Sequence, residues 1–202
     1  MTFFLIAALF VIPVLVIPAA LVAKSYNRLV ALKNSTENGF SQISVQLQRR
    51  HDLIPSLVEC VKAYMGHERE TLEAVIAARN TAVASLKNAK ADAGNSVALA
   101  SVGQSEGMLA GALGRLSMVM EDYPELKANE NVAHLTEELT STENRIAFSR
   151  QSYNDWVTAF NIYRQTFPTT LFASFLGFDE DASLLEMEDE EAIKQAPQIQ
   201  LA

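Results

Sequence analysis

The fold of this chain is decided where residues 2–33 read TFFLIAALFVIPVLVIPAALVAKSYNRLVALK. The first 22 of these residues, Thr2 to Ala23, carry no charge, and charged residues begin at Lys24. As a helix, the uncharged part would be about 33 Å long, enough to cross a hydrocarbon core of about 30 Å. Residues 1–24 therefore predict a transmembrane anchor that contacts the lipid bilayer through residues 2–23.

A cleaved secretory signal is the main alternative for this segment. Such a signal begins with a basic region and ends in a small-x-small cleavage site. No lysine or arginine precedes the apolar run, and Leu21-Val22-Ala23 matches a cleavage site poorly, so a retained anchor is favoured. Lys24, Arg28 and Lys33 all follow the anchor. The positive-inside rule then predicts an N-terminus outside the cell and a body in the cytoplasm.

After the anchor, apolar residues recur at intervals of three and four residues, which is typical of helices that bury one face. Pro55 predicts a kink or a short break near Asp52–Pro55, and Asn129 or Asn131 is expected to cap the last long helix, which Pro168 closes. The predicted helices run from Tyr26 to Met65, His67 to Asn88, Val97 to Asp122 and Val132 to Phe167.

Four long helices with short connections must be largely antiparallel neighbours. The fold class predicted for residues 25–178 is therefore all-α, an antiparallel four-helix bundle with coiled-coil-like seams. On the fourth helix the apolar stripe is predicted to pass through Tyr153, Trp156 and Phe160. A short C-terminal helix and an acidic tail are expected to follow.

Charge is concentrated at the C-terminal end of the chain. Residues 179–202, the acidic tail, hold eight acidic residues and one lysine, whereas the preceding residues hold 15 basic and 16 acidic groups. A nearly neutral body argues against a broad nucleic-acid surface, which would need a basic stripe to neutralise phosphates. The tail itself is predicted to be solvated and largely disordered.

No pattern in the sequence predicts catalysis, a cofactor or a metal ion. His51, His67 and His134 form neither His-x-x-x-His nor Glu-x-x-His pairs, and no glycine-rich phosphate loop or serine elbow occurs. Cys60 lies in an apolar helical stretch and is predicted to be a buried small side chain rather than a reactive thiol. We therefore expect a protein that is not an enzyme and that has no small-molecule substrate.

A polar run before Pro55 is the first candidate for an interaction surface. It is either a recognition surface or a set of local hydrogen bonds and salt bridges that caps the broken first helix. The run consists of Gln48, Arg49, Arg50, His51 and Asp52.

A strip of glycines on the third helix is the second candidate. Its members fall within about 80° of one another on a regular helix, opposite the apolar side. We hypothesise that this strip allows close backbone approach by another subunit or helix, and the alternative is a merely weak helix start. The strip consists of Gly103, Gly107, Gly111 and Gly114.

An aromatic stretch follows the bundle at residues 167–178, which read FPTTLFASFLGF and are called the Phe-rich segment. It is too short to span a bilayer. Packing back onto the end of the bundle is the default expectation. The alternative is that it lies in the membrane interface, although it has no basic residue to contact anionic lipid.

Several motifs closely resemble the bacterial LemA family, over nearly the whole chain as far as Phe178. The resemblance implies a single-pass N-terminal membrane helix, an antiparallel four-helix bundle and no catalytic residues. Some members of that family are associated with magnetosome membranes. The motifs are YNRLV (26–30), NGFSQI (38–43), VQLQRRHDLIPSLVE (45–59), AARN (77–80), YPELKANEN (123–131), TENRIA (142–147) and YND (153–155).

These observations favour a membrane-anchored, non-enzymatic scaffold or protein-interaction module of the bacterial inner membrane. Its expected partners are further copies of itself or another membrane protein. The alternative is an accessory or regulatory subunit of a membrane enzyme such as a protease or a transporter. That subunit would contact the enzyme through the anchor and the Gln48–Pro55 region.

Overall fold

A computed structural model describes residues 2–92 and 94–187 of the chain, with the side chains of residues 14–92, 94–126 and 128–187. Every regular element in these ranges is helical, which confirms the predicted all-α class. The elements are α1 (Thr2–Lys62), α2 (Arg69–Ala91), α3 (Ser96–Met120), α4 (Pro124–Lys127), α5 (Glu130–Gln165) and a 3-10 helix at Thr169–Leu171. The short helix α4 was not expected from the sequence.

The described residues divide into two compact units. Unit 1 combines the residues up to Asn38 with Asp155–Ala182, and unit 2 combines Gly39–Asn154 with the residues from Ser183 onward. Helices α1 and α5 therefore each contribute one part to unit 1 and the other part to unit 2.

Unit 2 contains the core of the four-helix bundle. Tyr64, just after α1, is hydrogen-bonded to Asn129 before α5, and Arg49 of α1 pairs with Glu138 of α5, so α1 and α5 run in opposite directions. The spacing of apolar residues on α1 predicted most of its buried side, including Phe40, Ile43 and Leu47, although Tyr26 at the start of that stripe is 44% exposed. Buried residues of one shared cluster come from every long helix and include Ile54, Leu57, Val61, Leu72, Val75, Ala82, Leu109, Leu116 and Val132.

Local signals explain where the later helices begin. The side chain of Asn95 accepts hydrogen bonds from the backbone N–H groups of Val97 and Ala98 at the start of α3. Asn129 does the same for Asn131 and Val132 at the start of α5. Of the two expected caps, Asn129 is therefore the one that satisfies the free N–H groups of the first turn.

The buried stripe of α5 differs from the predicted one at a single step. Tyr153 and Phe160 are buried as expected, but Val157 is buried between them, and Trp156 is 42% exposed. The step from 153 to 157 is a four-residue spacing, which keeps a side chain on the same face as well as a three-residue spacing does.

Unit 1 has a smaller core, which joins the first part of α1 to the last part of α5 and the residues after it. Leu29 and Leu32 pack with Phe160 and Phe178. The side chain of Arg164 bonds Asp181 at 2.5 Å, and the hydrogen bond from Arg164 holds the pKa of Asp181 below its usual value.

The acidic tail is described as far as residue 187, and the prediction for residues 188–202 lies outside the described residues. Within unit 2, Asn154 accepts a hydrogen bond from the backbone N–H of Leu185 and donates one to its carbonyl. Tyr153 donates to the carbonyl of Ser183 at 2.8 Å. Leu185 is fully buried and Met187 is 7% exposed, so this stretch packs as part of the unit.

Candidate functional site

A group of charged side chains, buried except for the half-exposed Glu143, crosses the bundle of unit 2. Arg50 on α1 pairs with Glu106 on α3 through Nη2, and with Glu143 on α5 through Nη1 at 2.6 Å. The Nε2 atom of His51 lies 2.7 Å from the second carboxylate oxygen of Glu106. We call Arg50, His51, Glu106 and Glu143 the buried charge cluster.

Arg50 and Glu106 hold each other in their ionised forms. Burial by itself would raise the pKa of Glu106, but the hydrogen bond from His51 and the positive charge of Arg50 outweigh it, and this pKa is lowered. For Arg50, burial favours the neutral form, yet Glu106 and Glu143 together raise its pKa. Since an ionised carboxylate only accepts hydrogen bonds, Nε2 of His51 must be the donor.

The lowered pKa has a consequence for stability. The unfolded chain protonates Glu106 near its ordinary value of 4.5, whereas the folded chain does so at lower pH. The contribution of this carboxylate to folding is therefore complete above that ordinary value and is lost as the pH falls through the lower native pKa.

Enclosure decides what this cluster can do chemically. Arg50 is 2% exposed and the side chain of Glu106 is fully buried, so solvent reaches these two groups very little in this arrangement. A carboxylate that stays ionised is also poorly matched to proton transfer near neutral pH. These features favour a structural role, in which the ion pairs help to set which helix faces meet.

The sequence predicted a kink or a short break near Pro55, and the structure shows no break, since α1 continues through this residue. The hydrogen bond that the proline cannot make is replaced by another. A proline at position 55 has no N–H to donate to the carbonyl of His51, four residues earlier. That carbonyl instead accepts a hydrogen bond from Nε of Arg79 on α2, at 3.0 Å. The two helices are thus joined at the one backbone oxygen that the proline leaves free.

Substitution of Arg79 by methionine should lower the free energy of unfolding by about 1–3 kcal/mol, because the carbonyl of His51 loses its donor. The measurement is urea unfolding of the full chain in mild detergent, followed by circular dichroism. The control is the same substitution in a Pro55→Ala background, where the backbone N–H at position 55 can bond that carbonyl. Equal losses in the two backgrounds would contradict the assignment.

The polar run is divided between the interior and the surface. Arg50 and His51 belong to the buried charge cluster, so neither is available to a partner in this arrangement. Gln48 donates to Asp52 at 3.0 Å on the outside of α1, and Arg49 pairs with Glu138 at 2.5 Å. An interaction role for the run remains a prediction that concerns Gln48, Arg49 and Asp52.

The glycine strip is also divided. A Cβ atom at Gly103 would overlap the backbone carbonyl oxygen of Glu186 and lie 3.2 Å from its carbon, so the chain's own C-terminal stretch covers this end. At Gly111 and Gly114, a Cβ atom would meet open space. Gly107 is half-buried between them.

The open end of the strip belongs to a helix with few charges. Glu106 and Arg115 are the charged residues of α3, and Glu106 is buried. Met108 and Met118 are 53% and 63% exposed. A groove of about 260 Å³ beside Gly114 is lined by Leu113, Leu116 and Met120 of α3, by Leu139 and Glu143 of α5, and by Arg50 of α1, among other residues.

The N-terminal part of α1 is suited to a membrane. Among the described helices, α1 is long and apolar enough to cross a bilayer, by length and composition. Its side chains there point outward, with Val14, Leu15 and Ile17 exposed by 69%, 66% and 59%. Among the residues with described side chains, no group of three or more His, Cys, Asp or Glu could hold a metal ion.

The fold and the site together define a class, a helical bundle whose first helix is long and apolar enough to cross a membrane. The sequence profile of the LemA family matches residues 39–201, which is most of the body and nearly all of the acidic tail. The chain belongs to the LemA family.

Named relatives agree with this assignment. Magnetosome protein MamQ 2 of Paramagnetospirillum magneticum is 29% identical over 188 residues, which cover 85% of this chain and 69% of the relative. Protein LemA of Metamycoplasma hominis is 27% identical over 150 residues, covering 74% of this chain and 64% of the relative. These are not names of enzymes, and they are consistent with a membrane-associated protein.

Proposed function

We propose that this protein is a membrane-anchored, non-enzymatic interaction module that associates with further copies of itself through α3. The observation that carries the proposal is the outer face of that helix, which carries a single charge. Solvent-facing helices are normally covered with charged residues, whereas the open face here presents Gly111, Gly114, Met108 and Met118 around one exposed charge, Arg115. Charge depletion with exposed methionine is typical of the centre of an interface.

Bare glycines suit this role because they let two helix backbones approach closely. In return, each glycine inside a helix lowers helix stability by about 1 kcal/mol relative to alanine. Neither Gly111 nor Gly114 contacts another part of the described chain at its Cβ position, so no such contact compensates for this loss. An intermolecular contact would compensate for it.

The double substitution Gly111→Leu and Gly114→Leu should shift the protein from an oligomer to smaller species. The measurement is the mass of the full chain in mild detergent, by size exclusion with light scattering. Ala84→Leu adds the same side chain to an exposed position of α2 and should leave the mass unchanged. An unchanged mass for the double variant, or a monomeric parent protein, would rule out this association.

The alternative role, an accessory subunit of a membrane enzyme, is examined by the same purification. A protease or transporter that stays bound to the parent chain in stable proportion would favour that role, with Gln48, Arg49 and Asp52 as the accessible contact residues. A homogeneous multimer without foreign subunits favours self-association.

For the topology, we propose that α1 spans the inner membrane with its N-terminus outside and the body in the cytoplasm. The basic residues Lys24, Arg28 and Lys33 support this orientation, since they all follow the apolar stretch. Protease added outside intact spheroplasts should leave the body whole. Digestion of the body under those conditions would reverse the orientation.

A further inference from the structure

Three large apolar side chains of the Phe-rich segment point into solvent. Phe167, Leu171 and Phe175 are exposed by 73%, 72% and 92%. The same segment turns other side chains inward, since Ala173 and Phe178 are 3% and 8% exposed. Packing onto the helices of unit 1 therefore accounts for one side of the segment and leaves the other side apolar and uncovered.

The exposed side chains are presented by an ordered turn. After the 3-10 helix, the backbone N–H of Ala173 bonds the carbonyl of Thr169 at 2.9 Å, and that of Phe178 bonds the carbonyl of Ala173 at 3.0 Å. Gly177, with φ of 83°, adopts the left-handed conformation that closes this turn. Phe167, Leu171 and Phe175 are thus held apart from the core rather than left to collapse onto it.

The turn lies where α1 leaves its apolar stretch. Thr169 donates a hydrogen bond to the hydroxyl of Ser25 at 3.4 Å, and both residues are buried. The ring of Phe178 meets the ring of Tyr26 edge-on, with centroids 6.1 Å apart. Ser25 is two residues beyond Ala23, about 3 Å along the helix axis, so these contacts place the turn at the level of the membrane surface.

We propose that the Phe-rich segment is a second membrane contact, in which Phe167, Leu171 and Phe175 enter the interfacial layer of the leaflet where α1 emerges. The inference rests on the proposed anchoring by α1. Lipid is favoured over a protein partner because it already surrounds the neighbouring stretch of α1, whose own apolar side chains are exposed. The exposed cations Lys24 and Arg28 beside the turn suit the headgroup region.

Burial of these side chains is favourable enough to hold the turn at the interface. Moving a phenylalanine or leucine side chain fully out of water contributes about 1.5–3 kcal/mol. Interfacial segments insert their apolar side about 5–10 Å into the boundary between headgroups and acyl chains, a depth that a turn beside Ser25 can reach. Arg164 and Asp181, which flank the segment, pair with each other instead of with lipid.

The test uses tryptophan fluorescence of the full chain in phosphatidylcholine vesicles whose acyl chains carry bromine near the headgroup. The single native tryptophan is first removed by Trp156→Phe, and Phe175→Trp then reports on the segment. We expect blue-shifted emission and a clear loss of intensity to shallow bromine, because an interfacial side chain lies near the headgroups. Circular dichroism checks that each variant remains helical.

Two further variants make the outcome decisive. Phe148→Trp, at a position of α5 in unit 2 that is 73% exposed, should show no quenching. Leu15→Trp, inside the apolar stretch, should be quenched by bromine placed deeper in the chains. If Leu15→Trp is quenched while Phe175→Trp behaves like Phe148→Trp, the anchor stands and this inference fails. A blue shift at position 175 without bromine quenching would indicate a protein partner and also overturn it. If Leu15→Trp is not quenched, the proposed anchoring itself fails.

Discussion

Replacing Glu106 with alanine is expected to lower the free energy of unfolding by about 3–5 kcal/mol, the largest loss that we expect from a single substitution in unit 2. The reason is that two buried groups lose their partner at once. Arg50 would keep only Glu143, whose side chain is 49% exposed, and His51 would keep no partner at Nε2. The measurement is urea unfolding of the full chain in mild detergent.

The chain offers a matched control on its surface. Glu138 also pairs with an arginine of α1, Arg49, but both side chains are partly in solvent, and Glu138→Ala should have no measurable effect. Equal losses for Glu106→Ala and Glu138→Ala would show that burial does not set the importance of the cluster.

A combined variant tests whether the stability of unit 2 requires the buried charges themselves or only requires that no buried polar group lacks a partner. Arg50→Met, His51→Leu and Glu106→Leu together replace the buried polar groups by apolar ones of similar size. Exchanges of this kind in other proteins are often neutral or stabilising, so the combined variant should be more stable than Glu106→Ala. If it is less stable, the pairs themselves contribute net stability.

Leu185→Ala should lower the free energy of unfolding by about 2–5 kcal/mol, the usual range for leucine in a packed core. The prediction is informative because this leucine lies in the acidic tail. If the tail were disordered at this position, the substitution would not change the free energy of unfolding. Leu185 is fully buried, and its backbone is bonded on both sides by Asn154. Thermal unfolding of the full chain by circular dichroism provides the measurement.

The neighbouring residue is the control for this prediction. Leu184 is 45% exposed, so Leu184→Ala should change the free energy of unfolding by less than about 0.5 kcal/mol. Similar small effects at both positions would mean that residues 183–187 do not pack onto unit 2 in solution.

The sequence predicted the helices well because their signals are periodic and local. Apolar residues such as Phe40, Ile43 and Leu47 repeat at helical spacing, and all three are buried. Asn129 could be recognised as a cap because the residue type that satisfies a helix start is known. Each of these signals is contained within a few residues of the place where it acts.

The buried charge cluster was missed because its partners are far apart in the chain. Arg50 and Glu106 are separated by 56 positions, and no local pattern shows that they meet. Two clues were present in retrospect. Glu106 is the one acidic residue of α3, and His51 interrupts the apolar side of α1. A buried ion pair of this kind can be suspected from two features together. One is a single charged residue in an otherwise uncharged helix, and the other is a polar residue within the apolar stripe of a second helix.

The acidic tail shows the opposite difficulty. Its average composition is that of a solvated segment, and this average hides Leu185 and Met187, which are buried among the acids. Two apolar residues separated by one position suit an extended chain lying on a surface, because alternate side chains of such a chain face the same way. That spacing was too short to stand out against eight acidic residues.

The bond between Arg79 and the carbonyl of His51 also has an evolutionary consequence. A homologue that loses the proline at position 55 regains the backbone donor and no longer requires an arginine at position 79 to supply it. Loss of the arginine while the proline is retained leaves an oxygen without a partner. The arginine at position 79 is therefore needed only while the proline at position 55 is present. Where both residues are replaced in this lineage, we expect the proline to be replaced first.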